Sequence, residues 1–525
     1  MPGCAARLAP ALAALALLAS MPCAASAQPA PAAQEADDLQ VALGRRIYLE
    51  GRNERGEQVR ALVGSHGTAL AGAAVACGNC HGADGRGRPE GGVQPPDITW
   101  EELSKPYGHV RAGGRRHGPY DERSFARAVT EGLDPAGQRV DTAMPRFSLS
   151  ASEAAALAAY LRRLSTERDP GVSDAAVRLG TILPSDGPGA AAGAAMRAVL
   201  RALAAQVNEA GGIHGRRIEL AVASDLAQAE ERFEAQPVFA LVSPYAVGVE
   251  EPLAQFAVSR RLAVVAPFTL ATPAEAPAGV FFLYAGEADL ARVLLDFAGR
   301  AADLTTQRLA AFVADADGRV ARALRGECAQ RKCAALEFLP PSAAADPGAA
   351  ARLMHAGVQG VVFDGGEREL GALIGAAARL GWRPAIYAPG PRAARAMYAA
   401  PAAFDGQLFV AYPARGELLS GSAGAADFER LRASRDLGSS HTAAQGFAYA
   451  ALSIAIEGLR RAGRELSRDR FARALETLHR FDAGPTPPVS YGPGRRVGTM
   501  GGYVVAVDPQ RGFRPVSDWI ALEPR

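Results

Sequence analysis

The stretch Cys77-Gly78-Asn79-Cys80-His81 carries the strongest indication of fold in this sequence. Two cysteines at this spacing can each bond a vinyl group of haem, and the histidine that follows then presents its imidazole to the iron. A CxxC pair can also be a redox pair or half of a zinc site. Zinc would need a second ligand pair, and beyond residue 27 the other cysteines, Cys328 and Cys333, are separated by four residues rather than two. The motif therefore predicts one covalently bound haem c.

The length and charge of the chain limit what else it is. At 525 residues it is too long for one hydrophobic core, so two or three domains are expected. Apolar residues make up 49% of the chain and the formal net charge is +2, which is typical of a globular protein without a nucleic-acid-binding surface. No segment after the N-terminus is long and apolar enough to predict a membrane helix.

Residues 1–27 have the pattern of a secretory signal peptide. Arg7 supplies a positive charge, residues 8–18 form an apolar run too short to span a bilayer, and Ala25-Ser26-Ala27 is a cleavage site of A-x-A type. Cys23 raises the possibility of a lipoprotein, but Ser20-Met21-Pro22 is a poor lipobox. The sequence therefore predicts a periplasmic protein, which agrees with haem attachment outside the cytoplasm.

The segment around the motif, residues 39–166, has a consistent order of elements. A helix is predicted near residues 39–49, and a second at 150–164, where Ser150 and Glu153 have capping-box spacing. This order resembles class I cytochrome c, in particular the small domains that serve periplasmic alcohol dehydrogenases. The phrases that carry the resemblance are His81-Gly82-Ala83-Asp84-Gly85, Pro95-Pro96-Asp97-Ile98-Thr99, Glu131-Gly132-Leu133-Asp134-Pro135 and Met144-Pro145-Arg146-Phe147.

The resemblance implies an all-α haem domain with His81 as proximal and Met144 as distal iron ligand. Met–His ligation leaves no open position on the iron and suits electron transfer. The competing interpretations are that Met144 is a core residue, or that one of three histidines is the distal ligand: His66, His109 and His117. The resemblance also implies that a carbonyl of Pro95 or Pro96 accepts a hydrogen bond from the ring of His81.

Two further features concern the packing of this domain. Gly44 is expected to face Tyr160, as in the close crossing of first and last helices that the resemblance implies. The chain departs from the family in an insert at residues 53–76, between the first helix and the haem motif, where the family has few residues.

The rest of the chain, residues 177–525, follows a linker at 167–176 and alternates between element types. Strands are predicted at 177–183, 218–223, 238–242, 262–266, 309–313, 358–363 and 385–387, with helices between them. Alternating units of this kind predict a parallel sheet with helices on both faces, and their number predicts two lobes.

This half is similar to type 1 periplasmic solute-binding proteins of the branched-chain amino-acid-binding kind. The resemblance implies an α/β fold of two lobes that close on a ligand at the carboxyl ends of the strands. It rests on Gly180-Thr181-Ile182-Leu183-Pro184, residues 207–216, Gly360-Val361-Val362-Phe363-Asp364, Ala378-Arg379-Leu380-Gly381-Trp382, residues 443–463 and residues 471–478. The glycine-rich stretch at 187–193 could instead be a dinucleotide loop, but its motif is weak.

The predicted ligand cleft departs from the amino-acid binders. Their serine- and threonine-rich loop is replaced by Ser243-Pro244-Tyr245-Ala246-Val247-Gly248-Val249, and the candidate ligand-binding residues are Tyr245, Thr269 and Asp317. The competing interpretation is that all three are ordinary loop residues. Cys328 and Cys333 are expected to form a disulfide in an oxidising compartment, with two free thiols as the alternative.

Taken together, the sequence predicts an electron-transfer protein rather than an enzyme. The haem domain would pass electrons from a periplasmic dehydrogenase to a downstream acceptor in the respiratory chain, while the second domain would bind a small molecule. Two other functions stay open: a substrate receptor of an ABC importer or a ligand sensor with an accessory haem, and a haem enzyme in which substrate displaces Met144.

Overall fold

A computed structural model describes residues 31–87, 94–110, 114–166, 168–269, 279–346, 348–390, 392, 394–414, 422–508 and 512–523. The chain divides into two compact units, Met1–Thr166 and Glu167–Arg525. The predicted signal peptide at residues 1–27 lies outside the described residues. Among the residues that the structure does describe, no helix is long and apolar enough to cross a membrane.

The described residues of the first unit form the α-helices α1 Pro31–Glu50, α2 Cys77–His81, α3 Trp100–Leu103, α4 Glu122–Glu131 and α5 Ala151–Thr166. α1 crosses α5 at Gly44, where a Cβ atom would lie 2.0 Å from the carbonyl oxygen of Ala156 and 2.7 Å from the Cβ of Tyr160. Only glycine allows this approach, and the predicted pairing of Gly44 with Tyr160 is confirmed. The core around the crossing contains Tyr48, Phe125, Leu157 and Leu161.

The start of α5 has the predicted capping box. The N–H of Ser150 donates to Glu153 Oε2 at 2.8 Å, and the N–H of Glu153 donates to Ser150 Oγ at 3.2 Å. Each side chain thereby satisfies a backbone donor that the first turn of a helix leaves without a partner.

The first unit also contains strands, so the all-α expectation describes only its core. The insert forms a hairpin of β1 Arg60–Val63 and β2 Thr68–Ala71, and β1 also pairs with β5 Arg146–Phe147. A second small sheet joins β3 His109–Val110 to β4 Arg116–His117. These strands were not predicted because each has only two to four residues, too few to show a strand periodicity, and β5 pairs with a segment distant in sequence.

The predicted linker, residues 167–176, packs on the second unit from residue 168 onward. Asp169 accepts a hydrogen bond from the N–H of Arg468 at 2.6 Å, and the guanidinium of Arg468 donates to the carbonyl oxygens of Val238, Phe239 and Arg260. Burial raises the pKa of Asp169, and the hydrogen bond from Arg468 opposes that rise. A buried carboxylate with such a partner holds the segment in place.

The first lobe of the second unit is a six-stranded sheet in the order β16-β10-β9-β8-β6-β7. All its pairings are parallel. Its elements are β6 Ala176–Ile182, α6 Ala190–Glu209, β7 Arg217–Ala223, α7 Leu226–Ala235, β8 Ala240–Val242, α8 Glu250–Ser259, β9 Ala263–Val265, β10 Val280–Tyr284, α14 Ala423–Ser434, α15 Thr442–Ala462, α16 Arg468–Glu476 and β16 Val497–Thr499. Helices cover both faces, with α6 and α15 on one and α7 and α8 on the other.

The second lobe is an eight-stranded sheet in the order β12-β11-β13-β14-β15-β17-β18, with β19 paired to β17. Its elements are α9 Glu287–Ala301, β11 Arg308–Phe312, α10 Arg319–Arg331, β12 Ala335–Leu339, α11 Ala349–His355, β13 Val358–Phe363, α12 Glu367–Leu380, β14 Ala385–Pro389, α13 Ala394–Tyr398, β15 Leu408–Tyr412, β17 Gly501–Asp508, β18 Gly512–Pro515 and β19 Ile520–Ala521. The chain passes between the lobes three times: between β10 and α9, between β15 and α14, and between β16 and β17.

The expectation of a purely parallel sheet is wrong for the second lobe, which is mixed. β17 runs antiparallel to β15, and β18 and β19 run antiparallel to β17. The reason is the connection: β17 enters this lobe from β16 rather than through a helix that would return it to the start of its neighbour. Parallel strands need such a helical crossover, whereas antiparallel strands do not.

Candidate haem site and ligand cleft

His81 ends helix α2 with its ring buried, and its Nδ1 lies 2.9 Å from the carbonyl oxygen of Pro96. A carbonyl only accepts, so Nδ1 carries the proton, and Nε2 is the ring nitrogen that a metal would bind. The predicted contact of the histidine ring with Pro95 or Pro96 is therefore present, with Pro96 as the acceptor. The arrangement is typical of a metal-ligating histidine whose orientation is fixed by an outer hydrogen bond.

The two cysteines of the motif are free thiols on the same helix. Cys77 is half-buried in the core, and burial raises the pKa of its thiol to about 12, so the neutral thiol is the form present before haem attachment. Cys80 is exposed. Two unpaired thiols flanking one helical turn match what thioether attachment of haem requires.

The backbone around α2 is held from both sides. The hydroxyl of Tyr48 donates to the carbonyl oxygen of Gly82 at 2.7 Å, and the side-chain amide of Asn79 donates to the carbonyl oxygen of Ala73 at 2.7 Å. A Cβ on Gly87 would come within 2.1 Å of the Pro95 carbonyl oxygen, so the loop after His81 closes tightly against the Pro95–Pro96 segment. These contacts fix the backbone on both sides of the motif.

Met144 is half-buried in a short loop, where its N–H donates to the carbonyl oxygen of Asp141 at 3.0 Å. Its side chain packs on the same hydrophobic cluster as Cys77, Ile98 and Leu164. Met144 and Cys77 thus pack on one core, and a thioether, an imidazole and two thiols within this unit are a set of donors that fits haem c.

The three rival histidines differ in their surroundings. His66 is exposed in the turn of the insert hairpin. His109 and His117 are buried and face each other across β3 and β4, with ring centroids 5.0 Å apart. Nδ1 of His117 lies 2.8 Å from the Gly118 carbonyl oxygen, and its buried Nε2 has no hydrogen-bond partner among the described residues.

Four aromatic rings, here called the aromatic row, follow the carboxyl edge of the first-lobe sheet. Tyr245 comes after β8, Phe268 after β9 and Tyr284 at the end of β10, while Phe447 joins them from α15. Neighbouring centroids are 5.3 Å apart for Tyr245 and Phe268, 4.9 Å for Phe268 and Phe447, and 5.4 Å for Phe447 and Tyr284. The row gives this edge an apolar wall.

The glycine-rich stretch and two strained residues shape the same edge. A Cβ on Gly189, just before α6, would lie 3.2 Å from the ring of Tyr245, so glycine leaves room for the aromatic ring. Ser243 and Ala266, which follow β8 and β9, have positive φ angles of 53° and 50°. Non-glycine residues adopt this conformation at a cost, and such strain concentrates at ligand-binding sites.

The three predicted ligand residues lie on different lobes, with Tyr245 and Thr269 at neighbouring strand ends of the first and Asp317 on the second. Tyr245 belongs to the aromatic row. Thr269 directly follows Phe268 in the chain, and the hydroxyl of Thr269 donates to Glu250 Oε1 at 2.7 Å. Asp317 lies in the second lobe with a side chain that is 94% exposed and 3.6 Å from Arg325.

The sequence analysis missed a group of charges, here called the hinge charge cluster: Glu250, Glu287, Asp364 and Arg392. Glu287 begins α9, directly after the chain crosses between the lobes, and forms an ion pair with Arg392. Burial raises the pKa of Glu287, with Asp364 and Glu250 adding to the rise and Arg392 opposing it. Burial also raises the pKa of Asp364, and Arg392 opposes that rise.

The amino-acid sequence contains one indication of the hinge charge cluster. Asp364 follows the apolar strand residues 360–363 directly, the position at which cleft residues are expected in a parallel sheet. Glu287 was not predictable in the same way, because β10 before it lies outside the predicted strands.

Cys328 and Cys333 form a disulfide that closes the end of α10. Cys328 is buried in the second-lobe core, and Lys332 between them adopts a left-handed φ of 55°. The bridge lies outside the cleft residues described above and is a structural feature of the lobe.

Comparison with protein families gives two matches. A family model described as periplasmic binding protein matches residues 176–512, and one described as cytochrome c matches residues 65–165. No curated protein matches the chain. The cytochrome c match implies covalently bound haem c, and the binding-protein match implies a small-molecule ligand.

Solved structures resemble the second unit. A fatty acid ABC transporter substrate-binding protein from Thermomonospora curvata is 18% identical, with a TM-score of 0.50, over 68% of this chain and 95% of that one. A structure titled as an ABC transporter permease from the Pseudomonas fluorescens group is 16% identical, with a TM-score of 0.52, over 66% of this chain and 93% of that one. At these identities the likeness establishes the fold alone.

Proposed function

Since the chain belongs to the periplasmic binding protein family and also carries a cytochrome c domain, we propose that it is a periplasmic electron-transfer protein with a fused ligand-binding unit. The first unit holds one haem c, takes electrons from a periplasmic dehydrogenase and passes them to an acceptor of the respiratory chain. Residues 1–27 direct its export. The second unit binds a small molecule.

The observation that carries this proposal is the hydrogen bond between His81 and Pro96. It fixes the ring through Nδ1, so that Nε2 is the nitrogen that would bind iron, with Cys77 and Cys80 as the attachment points on the same helix. Haem supplies one-electron chemistry when bound. With Met144 as the second protein ligand, the iron would have no open position for a substrate, which supports electron transfer rather than substrate turnover.

The aromatic row and the hinge charge cluster support a ligand with an apolar body and a polar group. Three rings of the row end neighbouring strands, where ligands of open α/β sheets bind. The loop at 243–249 lacks the serine cluster that would hold an amino-acid carboxylate. An alcohol, aldehyde or aromatic product of the partner dehydrogenase therefore fits better than a branched-chain amino acid.

A receptor for an importer, or a ligand sensor, is the second candidate. The match to the binding-protein family over residues 176–512 favours it, because a complete two-lobed fold with three crossings is what hinge closure on a ligand requires. Importer permeases encoded beside this chain would favour this candidate, whereas a quinoprotein dehydrogenase there would favour electron transfer. A haem enzyme is the third, and carbon monoxide binding to the reduced protein would favour it.

Rapid mixing of oxidised full-length protein with a reduced quinoprotein alcohol dehydrogenase tests the electron-transfer proposal. We expect haem reduction at a rate that rises with dehydrogenase concentration. The matched control is the same mixture without the alcohol substrate, in which the dehydrogenase stays oxidised. Failure of several such dehydrogenases to reduce the haem, while dithionite reduces it, would contradict the proposed role.

A further inference from the structure

The insert hairpin, residues 53–76, is bonded to the chain on the carboxyl side of Met144. In the pairing of β1 with β5, Ala61 lies opposite Phe147 and Leu62 lies opposite Arg146. The segment directly after the methionine is therefore part of the same three-stranded sheet as the hairpin.

Two further backbone hydrogen bonds join the hairpin to the chain around Met144, one after the methionine and one before it. The N–H of Ser148 donates to the carbonyl oxygen of Arg60 at 2.9 Å. Before the methionine, the carbonyl oxygen of Thr142 accepts from the N–H of Gly64 at 3.1 Å. Met144 thus lies in a short loop whose two ends are both bonded to one hairpin.

At its other end the hairpin is bonded to the haem-attachment helix. Val59 and Gly72 close its base, with the N–H of Gly72 donating to the carbonyl oxygen of Val59 at 3.0 Å. The turn that follows runs directly into Cys77, and Asn79 inside the motif donates to the Ala73 carbonyl oxygen at 2.7 Å. The hairpin therefore connects the segments that carry both predicted iron ligands.

The inner face of the hairpin is part of the hydrophobic core. Val59, Ala61 and Val75 belong to the buried cluster that also contains Phe147. The outer face of the hairpin is exposed. Leu62 on this face is 44% exposed, and Ala69, which lies opposite Leu62 on β2, is exposed as well. Burial of one face fixes the register of the strands, because a slip of one residue would expose the apolar side chains.

We infer that the insert hairpin is a positioning element for Met144, which holds the methionine loop in place in both oxidation states of the iron. This inference rests on the proposed ligation by Met144. A thioether favours ferrous iron, so the ferric state is the one in which the methionine is most easily lost. Backbone bonds on both sides of the loop oppose that loss, because the loop cannot open without breaking them.

The test compares the same substitution on the two faces of the hairpin in full-length, haem-loaded protein. Ala61→Glu places a carboxylate in the buried contact with Phe147, and Ala69→Glu places it in solvent on the partner strand. The measurement is the limiting rate at which cyanide replaces the methionine of the ferric protein at saturating cyanide. We expect Ala61→Glu to raise that rate at least about tenfold and Ala69→Glu to leave it within about twofold.

A milder variant is used for the same measurement if the Ala61→Glu protein cannot be produced in folded form. Ser148→Pro removes one donor to the hairpin without adding a charge, and Ser148 is exposed. We expect it to raise the same rate while the thermal midpoint of the first unit changes little. Equal limiting rates in Ser148→Pro, Ala69→Glu and the unaltered protein would overturn the inference.

The outcomes also distinguish this inference from the proposed ligation. An unchanged ferric spectrum in Met144→Ala would remove the ligand assignment and, with it, the role of the hairpin. A changed spectrum in Met144→Ala together with unaltered cyanide rates in Ala61→Glu and Ser148→Pro would leave the ligation standing and exclude the hairpin as its support.

Discussion

The Nδ1 atom of His81 lies 2.9 Å from the carbonyl oxygen of Pro96, fifteen residues further along the chain. Proline has no N–H, and its ring fixes φ, so the carbonyl is presented by a stiff segment. A hydrogen bond from Nδ1 to a carbonyl increases the basicity of Nε2 and fixes the plane of the ring. The proximal side of the candidate haem site is therefore organised by the protein itself.

Gly44 offers a test of the helix crossing that frames this site. In Gly44→Ala the new Cβ would lie 2.0 Å from the Ala156 carbonyl oxygen, so α1 and α5 must separate. Overpacking of this kind costs about 1–3 kcal/mol, and we expect the free energy of unfolding of the first unit to fall by that amount in denaturant titrations followed at the haem band.

Gly371 provides the matched control. It lies within α12, and a Cβ there would have no atom within 4 Å. Gly371→Ala should raise the stability of the second unit by up to about 1 kcal/mol, because alanine is the better helix former. Equal effects of the two substitutions would contradict the close crossing.

Residues 28–166 should form an independent haem domain. The first compact unit ends at Thr166 and contains the attachment motif, the methionine and a core of its own. Expressed with the haem-maturation machinery, the fragment should be soluble and show the same absorption spectrum as the full-length protein. An insoluble fragment beside soluble full-length protein would show that the first unit does not fold alone.

The cleft should not bind leucine, isoleucine or valine at micromolar concentration. An α-amino acid needs donors for its carboxylate, and a buried charge without a partner costs several kcal/mol, which is orders of magnitude in affinity. Calorimetric titration with amino acids, small acids, alcohols and aromatic compounds measures this. Micromolar binding of a branched-chain amino acid would instead support the importer receptor.

For any ligand found in that panel, Tyr245→Ala should weaken binding by about tenfold or more, since an aromatic wall contributes of order 1 kcal/mol per ring. Tyr398→Ala is the control, because Tyr398 is exposed on α13 of the other lobe. Similar losses in both variants would place the ligand elsewhere.

Asp364 predicts a pH dependence. Burial raises its pKa above the ordinary value of 3.8, so the folded protein favours the protonated carboxyl. The stability that the protonated Asp364 carboxyl contributes is fully present when the pH is below the ordinary pKa, and it is lost as the pH rises through the raised pKa. Asparagine does not ionise, so the Asp364→Asn variant does not lose this stability as the pH rises. We expect the variant to be more stable than the unaltered protein at pH 7, but not at the lowest pH at which the protein stays folded.

Thermal unfolding of the second unit, followed at several pH values, checks this expectation. A variant that is less stable than the unaltered protein at pH 7 would show that the Asp364 carboxylate is favourably paired when charged. Weaker ligand binding together with higher stability would identify Asp364 as a binding residue, because functional charges are retained at a cost in stability.

The haem motif and the two-lobed fold were predictable because their signals are local. The spacing of Cys77, Cys80 and His81 and the capping box at Ser150 each depend on a few neighbouring residues. The hairpin of the insert was not predictable, since β1 forms its sheet partly with β5, more than eighty residues away. The pairing of β17 with β15 in the second lobe was missed for the same reason, since Phe409 lies opposite Ala506.

The cleft was only partly predictable. Tyr245 and Thr269 follow strands whose apolar runs are visible in the sequence, so their place at the sheet edge could be inferred. Asp317 has the same kind of position, yet its side chain points into solvent. Which polar residues approach each other depends on tertiary packing, and the pairing of Glu287 with Arg392, which are 105 residues apart in the second lobe, has no counterpart in local sequence.

The ferric absorption spectrum and midpoint potential of Met144→Ala, beside those of the unaltered protein, test the central claim most directly. We expect the unaltered protein to show low-spin, six-coordinate haem with a sulfur–iron charge-transfer band. In the variant that band should disappear and the potential should fall, because thioether sulfur favours ferrous iron. An unchanged spectrum and potential would exclude Met144 as ligand and contradict the account of the haem domain as a closed electron-transfer site.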